Sequence, residues 1–294
     1  MTEAALAKRE MLSANRVRGH SCFPQSTADP APPHGVGRRV SGGLLRGATL
    51  LLFAMGCEAD TGGELGHVTV AVQAESMQDG GAIDRFTTRH GYEVTLTEAR
   101  MWIGPVYVWA PSGAQTQRGF SLVSKAYAHG GYDPLSGRRI RVERAQSFEV
   151  DLLATEALVL DDEVAELGPT DGATLALPPP AAADGATAGH HLWVAGSAHK
   201  DGQTIEFAGG IDIADDGLLR RVNGIAADLT LEDGDLVTLH VRPQVLFDSA
   251  HFERLSDGDE DGVVELATNT QPYDAIFLGM TDPEAYRVTR QASP

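Results

Sequence analysis

Histidines and carboxylates are the chemistry-bearing side chains of this chain, because thiols are scarce. Its 294 residues hold ten histidines, 41 Asp/Glu and two cysteines. His190 and His191 are adjacent, and eleven residues after His190 comes Asp201-Gly202, the pair favoured in a two-residue type I′ hairpin loop. If that loop joins His190–Lys200 to Gln203–Ile213, cross-strand partners have numbers that add to 403. His191 then faces Asp212 and His199 faces Thr204. Strand alternation puts His191, Trp193, Ser197 and His199 on one face. A carboxylate opposite an imidazole is the arrangement that orients metal-bound histidines. It is also the arrangement of a polar cross-strand pair facing solvent. His191 and His199 lie about 27 Å apart along an extended strand, so they cannot share one ion. Further ligands must come from other strands or loops, with His129 and His240 as candidates. Imidazole suits copper, zinc or nickel, and residue type alone does not choose among them.

A second cluster is Asp257-Gly258-Asp259-Glu260-Asp261-Gly262. Asp at positions one, three and five with Gly at six matches the opening of a calcium loop, and Glu265 falls at position nine. Alternate carboxylates can converge on one cation while Gly262 permits the sharp turn. Position twelve is Thr268, where an EF-hand has its bidentate Glu, and no helical pattern flanks the loop. The pattern departs from a complete EF-hand; a calcium-stabilised loop and a solvated acidic turn both remain open.

Catalytic signatures are missing. Ser121, Ser124, Ser197 and Ser249 lack a nucleophile-elbow context, and there is no glycine-rich phosphate loop and no His-Glu-x-x-His helix. The expectation is a non-catalytic protein. Trp102, Trp109, Trp193 and Tyr107 could form an aromatic binding surface, but their apolar strand settings favour core or sheet packing.

Leu50-Leu51-Leu52-Phe53-Ala54-Met55-Gly56-Cys57 addresses the protein outward. A basic flank (Arg38, Arg39, Arg46), a short apolar run and a small residue before the processing point make the layout of a secretory signal. The apolar run covers ten residues, and crossing a bilayer takes roughly 20. Cys57 at the junction resembles the lipobox of bacterial lipoproteins, where the thiol is diacylated and the chain is cut before it. Ala54 stands where that motif usually has Leu. An ordinary signal peptide beside a coincidental cysteine is the alternative. Residues 1–36 read as a disordered extension or a mis-assigned start, 37–56 as the signal, 57–66 as a lipidated tether, and 67–294 as a single domain.

Removing the first 56 residues takes seven Lys/Arg and three Asp/Glu from totals of 23 and 41, moving the net charge from −18 to about −22. Such a surface repels phosphates and argues against nucleic acid as a partner. Cys22 lies in the removed segment and Cys57 would be lipidated, so the domain has no disulfide and no thiolate metal ligand.

Period-two runs dominate the rest. His67–Ala74, Tyr92–Thr97, Met101–Trp109 and Ser147–Leu153 alternate or run apolar as strands do, with Gly104-Pro105 a bend or edge position. Ala, Leu and Glu enrichment predicts a short helix over 154–167. Residues 178–189 read as a Pro/Ala/Gly loop, and a second turn at Asp233-Gly234 joins Ile225–Leu231 to Leu236–Val241. Short strands, Asp-Gly turns and 33 glycines predict an all-β fold: an antiparallel, Greek-key-like β-sandwich with a short helix or two in its loops.

The run Gly91–Trp109, the segment Ala126-Tyr127-Ala128-His129-Gly130-Gly131-Tyr132, Phe148–Leu153, Gly189–Gly196 and Phe207–Ile213 together resemble the MbnP-like domain of bacterial envelope lipoproteins. The resemblance spans most of residues 67–288 through short, loose motifs. It implies a β-sandwich at the periplasmic face or outer membrane, tied to copper handling. Some members work with a dihaem protein that oxidises a tryptophan. By position, His129 and His190/His191 are the residues carried over; Trp102, Trp109 and Trp193 are not ranked. The copper-binding methionine cluster typical of such sites is missing. The expectation is a lipid-anchored envelope protein holding a metal ion, copper in the first instance, with a protein partner in the envelope. The alternative is an interaction or structural lipoprotein whose cation is calcium.

Overall fold

Alternating burial builds the sheets. In Leu65–Ala74 (β1), Val68, Val70 and Val72 are buried, while His67 is exposed and Thr69 and Gln73 are half-buried. The computed structural model describes residues 64–77, 81–112, 138–179, 186–213, 220–255 and 262–292. Cys57, His129, Asp257, Asp259 and Asp261 lie outside the described residues, as do the segments 1–36 and 37–56.

After β1 come Arg85–Thr87 (β2), Glu93–Ile103 (β3), Val106–Trp109 (β4), Ile140–Arg144 (β5) and Phe148–Asp151 (β6). Leu158–Glu166 (β7), Gly168–Pro169 (β8), Gly172–Ala176 (β9), Leu192–Lys200 (β10) and Gln203–Ile211 (β11) follow. The chain continues through Arg221–Ile225 (β12), Thr230–Leu231 (β13), Leu236–Val241 (β14), helix Pro243–Phe247 (α1), Val263–Glu265 (β15), helix Gln271–Thr281 (α2) and Tyr286–Gln291 (β16). Two 3₁₀ turns, Phe252–Arg254 and Pro283–Ala285, punctuate the C-terminal part.

These strands form an all-β sandwich. One sheet has the order β16-β14-β1-β7, the second β15-β11-β10-β3-β2 with β6 also paired to β3, and the third β12-β9-β4-β5. One hydrophobic core draws on all three: Val68 and Val72 from the first, Val94, Met101, Val194 and Phe207 from the second, Val108, Leu175 and Val222 from the third. Most pairings are antiparallel, but β1–β14 and β11–β15 run parallel. Gly104-Pro105, a cis peptide, separates β3 from β4 and passes the chain from the second sheet to the third. The bend expected there is therefore a change of sheet.

The helix expected over 154–167 is corrected by β7. Leu158–Glu166 pairs antiparallel with β1, with Val164 opposite His67 and Val159 opposite Ala71. Helix propensity there amounts to tenths of a kcal/mol per residue, and pairing with a core strand outweighs it. The helices instead stand at α1 and α2, each with a proline in its first turn, at Pro243 and Pro272. That placement suits proline, whose missing N–H has no intrahelical partner there. Asp233-Gly234 does form a turn, but the expected strand before it is broken. Ile225 ends β12, and β13 pairs with β8 rather than with β14.

Candidate metal centre

The hairpin that carries the histidines has the register the sequence implies. Leu192 pairs with Ile211 and His199 with Thr204, and the connecting residues Asp201 and Gly202 have φ of 51° and 78°. Positive φ at both central positions is the type I′ geometry. His191 stands one residue before β10 and Asp212 one residue after β11, so closure of the hairpin brings them together.

A second tight turn sets His190. The His190 N–H donates to the Thr187 carbonyl at 3.0 Å, and Ala188 and Gly189 between them have φ of 51° and 86°. His190 closes this turn and stands outside the ladder, so strand alternation does not send its ring to the face opposite His191, whose carbonyl accepts from the Trp102 N–H at 2.8 Å. His190 Nδ1 is 2.8 Å from Asp212 Oδ2, and His191 Nδ1 is 3.4 Å from Asp212 Oδ1. An ionised carboxylate only accepts, so the neutral His190 ring that bonds it carries its proton on Nδ1 and has its lone pair on Nε2.

His191 is the buried member. Its side chain is 4% exposed, against 33% for His190 and 49% for Asp212. The Ile213 N–H points at its Nδ1 at 3.4 Å between nitrogens, and its Nε2 is buried with no hydrogen-bond partner among the described residues. Each tautomer leaves one buried N–H short of an acceptor: Nε2–H when the proton is on Nε2, and the Ile213 N–H when it is on Nδ1. Donation from Nδ1 to Asp212 is the form that leaves a lone pair on Nε2. Burial holds the His191 imidazole below its usual range, against the pull of the Asp212 carboxylate. A neutral imidazole at ordinary pH is the form that ligates metals.

Two residues that the sequence reading passed over, Gly210 and Tyr273, and one it assigned to packing, Trp193, hold this arrangement. Gly210, opposite Trp193 in the ladder, lies under the His190 ring, where a Cβ would come within 2.1 Å of the ring carbons. Trp193, whose expected role was packing, stacks on His190 at 6.0 Å between centroids and donates its Nε1–H to Glu98 at 3.1 Å. Tyr273 of α2 clamps the Asp212 backbone: its hydroxyl accepts from the Asp212 N–H at 2.9 Å and donates to the Asp212 carbonyl at 3.1 Å. A glycine inside a strand pattern is a recognisable sign of close approach. Nothing local to Asp212 announces a tyrosine 61 residues away.

The other expected ligands do not join this pair. His240 sits in the first sheet with Nε2 2.7 Å from the Thr289 hydroxyl, and burial lowers its pKa. Glu265 is exposed at the end of β15. Gly262 has φ of 77°, as the sharp turn at position six of a calcium loop requires. Trp109 is core, its Nε1–H bonded to Thr174 Oγ1 at 3.0 Å. Among the described residues no group of three or more His, Cys, Asp or Glu is arranged to hold a metal ion. The centre therefore offers two imidazoles and one orienting carboxylate. Among the described residues, too, no helix is long and apolar enough to cross a membrane.

No protein-family model matches the chain, and no curated protein matches it. Among solved structures it is similar to MbnP from Methylosinus trichosporium, at 10% identity and a TM-score of 0.33, over 78% of this chain and 99% of that one. The roles of individual residues are accordingly read from this chain alone.

Proposed function

We propose that this is an exported, lipid-anchored envelope protein that binds a transition-metal ion at His190 and His191, without catalytic turnover. The observation that carries the reading is the shared carboxylate. Asp212 lies on the Nδ1 side of both rings, and among the described residues the buried Nε2 of His191 has no partner. A carboxylate on one imidazole nitrogen with the metal on the other is the common outer arrangement of histidine–metal sites. Asp212 then orients the ligands and does not itself bind. Copper is the metal that the resemblance to MbnP-like lipoproteins implies, with His129 as a third ligand and Cys57 as the lipid anchor. A bound ion would be held by His190 and His191 and would supply a Lewis-acidic centre there. The chain's own residues fix tautomer and ring position.

Calorimetric titration of the full chain with copper and with zinc, alongside elemental analysis, tests the reading. The expected result is stoichiometric copper binding that His190→Ala and His191→Ala abolish and Asp212→Asn weakens, with circular dichroism of each variant unchanged. Weak, nonspecific binding by the folded wild type would overturn it. Calcium at the 257–265 loop, supported by the φ of Gly262, is the alternative cation. A melting midpoint unaffected by calcium would remove it.

A further inference from the structure

Away from the Asp212 centre, two more histidines meet, in a geometry unsuited to chelation. The His90 and His251 rings stack with centroids 3.5 Å apart and planes tilted by 34°. With metal–nitrogen bonds of about 2.0–2.1 Å, two imidazoles on one tetrahedral ion place their centroids roughly 5 Å apart. The stack would have to open before it could hold an ion. We infer that the His90–His251 stack is a proton-sensitive latch, closed while at most one ring is charged and opened when both are.

The latch joins two segments far apart in the chain. His90 sits in the turn between β2 and β3, closed by Gly91 N–H donating to the Thr88 carbonyl at 2.9 Å. His251 sits between α1 and the 3₁₀ turn Phe252–Arg254, with its N–H donating to Gln271 Oε1 at 2.6 Å. Beside the stack, the Arg89 N–H donates to Asp248 Oδ1 at 3.0 Å and the Glu253 N–H to the Tyr92 hydroxyl at 3.2 Å. Opening the stack loosens the β2–β3 turn from residues 248–253, the stretch that leads in sequence to the acidic run beginning at Asp257.

The charges around the rings decide which proton is tolerated. Glu253 Oε1 is 3.2 Å from His251 Nδ1, so a first proton on His251 has a carboxylate beside it, and the cation rests on a neutral aromatic face. Among the described residues no carboxylate stands beside His90 in the same way. Asp248, the carboxylate contributed by the end of α1, is already paired with Arg89 at 3.0 Å. Lys200, from the end of β10, lies over the Tyr92 ring at 4.8 Å and adds a further positive charge. Two charged rings at stacking distance repel. That repulsion acts only in the closed form, so charging both rings favours opening.

A double-mutant cycle on the full chain tests this, using wild type, His90→Gln, His251→Gln and the double variant in urea unfolding at pH 7.5 and pH 5.0. Titration of His191 and His240 is common to all four proteins and cancels from the coupling. The expected result is a favourable coupling at pH 7.5 that vanishes or changes sign at pH 5.0; equal coupling at both would overturn the latch. In the wild type alone, protection of the Arg89 amide against hydrogen exchange, corrected for the intrinsic rate, should fall about tenfold or more between the two pH values. Unchanged protection would refute the latch even if the glutamine variants failed to fold.

Discussion

Replacing Gly210 by alanine should separate metal binding from folding. A Cβ at residue 210 would stand 2.1 Å from His190 Cδ2 and Cγ and 2.5 Å from Nδ1. Ordinary contact begins at 3.4 Å, so the ring must retreat by about 1.3 Å. A shift of that size breaks the 2.8 Å bond to Asp212 Oδ2. The fold loses little. The two side chains are 33% and 49% exposed, and a pair exposed to that degree contributes at most about 1 kcal/mol. Gly210 has no positive φ, so alanine also removes freedom from the unfolded chain and returns about 0.4–1 kcal/mol. Stability should therefore be unchanged within error, while metal affinity falls about 10- to 100-fold, the usual effect of disturbing an orienting partner. Gly202→Ala is the matched control. Its φ of 78° makes alanine strained there, at a cost of about 1 kcal/mol, but nothing lies within 4 Å of its Cβ position. That variant should melt earlier and bind metal normally. The assay is calorimetric titration paired with urea unfolding. A change in affinity below about threefold in Gly210→Ala would refute the seating of His190 as a determinant of binding.

Tyr273→Phe removes both hydrogen bonds that fix the Asp212 backbone, and unfolding should register a loss of about 1–3 kcal/mol along with weaker metal binding. Glu166→Gln leaves the buried Arg141 and the neighbouring Arg139 without their shared carboxylate, and the melting midpoint should fall by the equivalent of about 3–5 kcal/mol. Restoring the charge with Asp at the same position should recover part of that loss. His191 and His240 have pKa values lowered by burial, so the folded protein binds fewer protons than the unfolded chain below pH 6.5. Their contribution is complete above pH 6.5 and is lost as the pH falls below it; urea midpoints of wild type should drop between pH 7 and 5, more steeply than those of His240→Gln.

The sandwich was legible because its signals are local. Alternation at Val68, Val70 and Val72 and the Asp201-Gly202 turn each depend on residues within one strand or one loop, and the hairpin register follows from the turn alone. The segment 154–167 failed for the opposite reason. Its fate was decided by β1, some 90 residues earlier, and a composition that permits a helix also permits an edge strand. The prolines at 243 and 272 were usable signs of helix starts, since proline is welcome in a first helical turn.

The site shows the same division more sharply. The register placed His191 opposite Asp212, but alternation applied to His190 would have sent it to the other face. The turn at Ala188-Gly189 overrides alternation, and both rings reach one carboxylate. What makes the pair more than a surface contact is the burial of His191, and burial is a property of the whole core. A half-exposed His–Asp pair and a seated metal ligand share the same sequence pattern. They differ in whether Nε2 is open to water; among the described residues the Nε2 of His191 is buried without a partner, and the proposed metal binding rests on that. The strands place the groups; the packing around His191, with Tyr273 and Gly210 holding its neighbours, gives the arrangement its chemical meaning.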